Sequence, residues 1–144
     1  MSPATAVAPA STKQRPLVSR AFEVATSPDP RYVSGIRHDT AVVLRQWDVP
    51  PTLAYDVVLV VSELVANAIE HGLGGVSLRV GLADGDLRIE VSDDSPDPAR
   101  LRAAGDYDVS GRGLFLVAAL ALDWGVSANC KTTWATFRLP AGRA

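Results

Sequence analysis

Apolar and polar positions change period several times along the chain, and each change predicts an element. From Thr52 to His71, Leu53, Val57, Val58, Val60, Val61, Leu64, Val65, Ala68 and Ile69 cover a wide apolar arc of one helix. Gly72, Gly74 and Gly75 end it. The period then drops to two. Val76, Leu78, Val80 and Leu82 alternate with Ser77, Arg79 and Gly81, and Leu87, Ile89 and Val91 repeat the pattern as far as Asp93. Asp84-Gly85-Asp86 between them reads as a hairpin turn. Upstream, Arg20 to Val24 alternates as a first strand. Asp29 is a fitting N-cap and Pro30 a fitting first residue for a helix from about Pro30 to Trp47, with Val33, Ile36, Val43, Leu44 and Trp47 inward. Asp94 to Ser110 has no long period and reads as a long functional or mobile loop. Gly111-Arg112-Gly113 opens an apolar helix from Leu114 to about Trp124, and Val126–Cys130 with Thr132–Leu139 form a last hairpin. Residues 1–18 form a tail of Ala, Pro, Ser and Thr without apolar period; residues 19–144 form one domain. Strands joined by tight turns, with three helices on one face, predict an α/β (α+β) two-layer sandwich with a mixed, mostly antiparallel sheet.

Composition narrows the class. The chain has 144 residues, 47% of them hydrophobic and 21% charged, with a formal net charge of −2. Such a chain builds a core without disulfides, and near-neutral charge argues against direct nucleic-acid binding over a broad basic face. Cys130 is the single cysteine, so no internal disulfide forms. The longest uninterrupted apolar run, Leu114 to Leu122, is nine residues, against the roughly 20 needed to span a membrane. The N-terminus lacks the pattern of a signal peptide, so a cytoplasmic setting is expected.

Three segments carry candidate chemistry. In Glu63-Leu64-Val65-Ala66-Asn67-Ala68-Ile69-Glu70-His71-Gly72, helical geometry puts Glu63, Asn67 and Glu70 on one stripe bordering the apolar arc. Asn is a poor helix former, and its amide oxygen is a hard neutral ligand suited to Mg²⁺. A carboxylate one turn earlier can act as general base. The same stripe also reads as an ordinary solvated helix face. Asp93, at a strand end, can accept a hydrogen bond from an exocyclic amine, or simply cap a turn. Ser110-Gly111-Arg112-Gly113-Leu114 stands at a helix start, where glycines and free N–H groups favour phosphate and Arg112 can add a charge; it also reads as a plain loop-to-helix junction. Lys131 and Thr133, in or just beyond the last turn, are within reach of a ligand.

In this order and at these separations, the three segments resemble the ATP-binding domain of the GHKL (histidine-kinase-like) ATPase superfamily. The chain is most similar to the stand-alone bacterial anti-sigma-factor serine kinases. SELVANAIEHG resembles the family's N box, VSDDSP stands in place of its first glycine box, and SGRGLFLVAALA is similar to its second. The closing stretch NCKTTWATFRLP resembles the family's final hairpin. The resemblance implies the Bergerat ATP-binding fold, with ATP and Mg²⁺ as cofactors. It implies that Asn67 ligates the metal, that Glu63 is the catalytic base, and that Asp93 reads the adenine amine. Gly111, Arg112 and Gly113 would form a lid over the phosphates, with Thr133 also at the nucleotide. One departure stands out: Ser95 and Asp97, flanked by Pro96 and Pro98, occupy positions where the full first box has glycines, which stiffens the lid entry and adds negative charge.

The activity implied is a protein serine/threonine kinase that acts on an anti-sigma factor antagonist and binds a sigma factor, with a homodimer through the first helix expected by analogy with the family. The alternative is a non-catalytic partner-binding module on the same fold. A third reading, a catalytic domain serving a histidine kinase in trans, lacks a dimerisation helix pair with a phosphoacceptor histidine.

Overall fold

The structure, a computed structural model, describes residues 18–95 and 109–140. In chain order the elements are β1 (Val18–Thr26), a 3₁₀ turn (Pro30–Tyr32), α1 (Val33–Gln46), α2 (Pro51–His71), β2 (Val76–Ala83), β3 (Asp86–Ser92), α3 (Val109–Leu120), β4 (Asp123–Val126) and β5 (Thr132–Arg138). The strands form one sheet in the order β1-β2-β3-β5-β4. Every neighbouring pair is antiparallel, so among the described residues the sheet has no parallel pair.

Local chemistry accounts for most boundaries. Asp29 caps the first turn by accepting from the Arg31 N–H at 3.0 Å, and Pro30 follows as expected. The first turn is 3₁₀, and regular helix begins at Val33. Asp84 (φ 54) and Gly85 (φ 80) both take left-handed backbone, which makes a two-residue turn whose twist matches the strands. Asp86 therefore belongs to β3, paired with Ala83, and not to the turn.

The α3 region departs most from the predicted boundaries. The helix starts at Val109 and ends at Leu120, so Gly111-Arg112-Gly113 lies within its first half and not in a loop before it. Trp124, expected at the helix end, is in β4, and the turn of the last hairpin runs through 127–131. An apolar run carries no period of its own, so its helix and strand portions cannot be separated by pattern.

The inward faces of β2, β3 and β5 and the apolar arc of α2 form the core. Val57, Val60, Val61 and Val65 are fully buried against Leu78, Val80, Leu87, Ile89 and Phe137. Ile36 and Leu44 of α1 and Val117 of α3 close it. Thr40, absent from the predicted stripe, is buried as well, because its hydroxyl donates to the Ile36 carbonyl at 2.7 Å. The other sheet face is charged: Arg79 pairs with Glu23 at 3.0 Å, Arg88 with Glu90 at 2.8 Å, and Arg88 stacks over Trp134 at 4.6 Å. By length and composition alone, α2 is apolar enough to cross a membrane, with mean hydropathy 1.6 over 18 residues. Counting uninterrupted apolar residues missed this, because Asp56 and Glu63 divide the run; here its apolar arc packs into the core.

Candidate functional site

The second half of α2 carries the first group. Asn67 is 7% exposed, and its Oδ1 is buried without a hydrogen-bond partner among the described residues. An unsatisfied buried acceptor costs about 1–3 kcal/mol, so a bound cation or an ordered water is needed to satisfy it. Glu63 lies one turn earlier, about 6 Å along the axis, and is half-buried. No ion pair or hydrogen bond engages its carboxylate among the described residues. Glu70, on the same stripe near the end of α2, is exposed and lies 3.5 Å from the His71 Nε2.

The end of α2 meets the end of β3. Gly72 closes the helix with its N–H on the Ala68 carbonyl at 2.9 Å, then turns to extended backbone (φ −89, ψ −165). Asp93 stands against it, 5% exposed. The Asp93 N–H donates to the Lys131 carbonyl at 3.0 Å, and its Oδ1 accepts the Ser95 N–H at 2.7 Å. Asp94 donates its N–H to the Leu73 carbonyl at 2.8 Å, which ties the two segments together. A hollow of about 160 Å³, lined by Thr26, Gly75, Val76, Ser92, Asp93 and Asp94 among others, opens at this end of the sheet. Thr133 is buried in β5 opposite Val91, and so faces the same side as Asp93; it is the second residue of a strand and not part of the turn. Lys131 is exposed in that turn.

Asn67, Asp93 and Thr133 are thus all buried, and Asp93 meets α2 five residues after Asn67. For Gly111, Arg112 and Gly113 the structure describes only the backbone, in α3, which packs along α2. The Arg112 side chain and Asp97 fall outside the described part. One contributor escaped pattern reading: Gly72, which registered only as a helix stop, because its approach to Asp93 is tertiary. The Ser95 N–H on Asp93 Oδ1 is the turn cap that the sequence offered as the plain alternative for Asp93.

The described residues hold no group of three or more His, Cys, Asp or Glu side chains able to bind a metal by themselves. A divalent cation here would depend on the Asn67 amide oxygen together with oxygens brought by a ligand, which is the donor set Mg²⁺ takes when it arrives with phosphates.

Comparison with known proteins bears on the family and the fold. The family model described as the histidine kinase-like ATPase domain matches residues 26–137. Among solved structures, the crystal structure of the RsbU and RsbW domains of Rv1364c from Mycobacterium tuberculosis has a similar fold, with a TM-score of 0.64 at 22% identity. The match covers 84% of this chain and 33% of that one, so the chain spans only part of that protein's length. No curated protein sequence matches. With a family model matched from the end of β1 into β5, over well more than half of the sequence, the chain belongs to the histidine kinase-like ATPase domain family.

Proposed function

We propose that the protein binds ATP with Mg²⁺ between α2, the end of β3 and the start of α3, and acts as an anti-sigma-factor-like regulator with protein serine/threonine kinase activity. The observation that carries the reading is the buried Oδ1 of Asn67, which has no hydrogen-bond partner among the described residues. In this reading that oxygen holds the metal, Asp93 accepts the adenine amine, Thr133 lies beside Asp93 at the nucleotide, and Gly111, Arg112 and Gly113 cover the phosphates. When bound, Mg²⁺ supplies neutralisation of the triphosphate charge. Glu63, half-buried and without a partner among the described residues, takes the proton of an incoming serine or threonine hydroxyl. That oxygen bonds to the γ-phosphorus, the bond to the β–γ bridging oxygen breaks, and ADP leaves. The protein substrate is an anti-sigma factor antagonist, and the partner whose binding it controls is a sigma factor. The homodimer through α1 belongs to the same proposal.

Calorimetry with ATP tests this. Wild type is expected to bind with Mg²⁺ and far more weakly without it, and Asn67→Ala is expected to lose the Mg²⁺-dependent part. Binding that ignores both Mg²⁺ and Asn67 would remove the metal from the site.

A second reading, partner binding without turnover, is favoured by one feature. Where the full box has a glycine, Ser95 is 4% exposed and gives its N–H to Asp93. ATP binding without phosphate transfer to any serine-bearing antagonist would decide for it.

A further inference from the structure

Gly72 does not owe its identity to its backbone. Its φ of −89 is open to any L-residue. What a side chain lacks there is space. A Cβ on Gly72 would lie 2.6 Å from both Cγ and Oδ2 of Asp93, and 2.5 Å from the Ala68 carbonyl oxygen. Both neighbours are held. The Ala68 carbonyl accepts the last hydrogen bond of α2, from Gly72 itself. Asp93 is buried, its N–H tied to Lys131 and its Oδ1 to the Ser95 N–H.

Gly74, two residues on, is the contrasting case. Its φ of +67 demands glycine on backbone grounds, and the carboxylate it faces, that of Asp94, belongs to an exposed residue.

We infer that Gly72 is a specificity-determining positioning residue: its bare Cα is the space in which the Asp93 carboxylate stands, and Gly72 with the Ser95 N–H fixes that carboxylate's direction. The inference rests on the reading of this site as an ATP pocket and adds what sets its choice of base. A carboxylate only accepts, so it selects a purine with an amine at the six-position and rejects one with a carbonyl there. It does so only while its oxygen keeps its aim, because hydrogen bonds weaken steeply with angle. A methyl group at residue 72 rotates the carboxylate away from Ser95 or pushes β3 off the end of α2. Either change spoils base recognition and leaves the phosphate end, around Asn67, in place.

The test is calorimetry on the full chain with three probes, each with Mg²⁺: ATP, inosine triphosphate and tripolyphosphate. The proteins are wild type, Gly72→Ala, Asp93→Asn and the double variant. Gly72→Ala is expected to lose about tenfold in ATP affinity, the scale of one charge-assisted hydrogen bond, and to lose its preference for ATP over inosine triphosphate. Its tripolyphosphate affinity is expected to be unchanged. In the Asp93→Asn background, Gly72→Ala should cost no further ATP affinity, since the two act through one carboxylate. Equal loss for ATP and tripolyphosphate, no loss at all, or full additivity in the double variant would overturn the inference. Should Gly72→Ala fail to fold, Ser95→Pro decides: it removes the N–H on Oδ1 without touching α2, and must show the same ATP-selective loss. A wild type that binds no ATP sinks the pocket itself and the inference with it, whereas an ATP-binding wild type with indifferent variants sinks only the role of Gly72.

Discussion

At the scale of single residues, the site as proposed trades stability for binding. Asn67 is a poor helix former placed in a core helix with its amide oxygen unsatisfied. Asn67→Leu keeps the number and branching of the side-chain heavy atoms and removes the unpaired acceptor, so the ligand-free protein should gain about 1 kcal/mol. Urea denaturation measures the gain, and ATP binding with Mg²⁺ should vanish in the same variant. Glu63→Ala separates binding from chemistry. The carboxylate has no partner to lose among the described residues, so stability and ATP affinity should hold. Phosphate transfer to an antagonist should fall by about 10²–10⁴-fold, the usual worth of a general base, and unchanged transfer in a single-turnover assay would remove Glu63 from the mechanism. Residue types alone marked Glu63, Asn67 and Asp93 as candidates beside plain structural readings, and the family resemblance supplied their expected roles. Gly72 was not marked, because a glycine after a helix reads as a stop, whatever stands against it in space.

At the scale of elements, α2 links core and site. Its arc of Val57, Val60, Val61, Leu64 and Val65 is spent on packing, and the border of that arc carries Glu63 and Asn67. Leu64, 2% exposed, sits between them in sequence. Leu64→Ala should cost about 2–5 kcal/mol by cavity formation, read as a lower urea midpoint with an unchanged slope. The β2–β3 hairpin was legible to within one residue, Asp86, because Asp-Gly tolerates the left-handed backbone that its two-residue turn requires. The reach of α3 was not. Its sequence is apolar on nearly every side, and a helix without a polar face gives no phase from which to read its ends.

At the scale of the whole molecule, the sheet order β1-β2-β3-β5-β4 puts β5 beside β3, which brings Thr133 to the side of Asp93. The end of β3 also meets the loop after α2. A ligand joining these parts should stabilise all of them together. At a hundred times its Kd, ATP with Mg²⁺ should add about 2.7 kcal/mol, seen as a higher melting temperature that Asn67→Ala abolishes. The order and type of the strands and helices followed from the chain alone, since periods of two and 3.6 are written in nearest-neighbour spacing. So did the residue types able to hold a metal or accept an amine. Which strand lies beside which, which oxygen is left without a partner, and why residue 72 has no side chain were decided only in three dimensions. Each of those depends on groups distant in sequence competing for the same few ångströms of space.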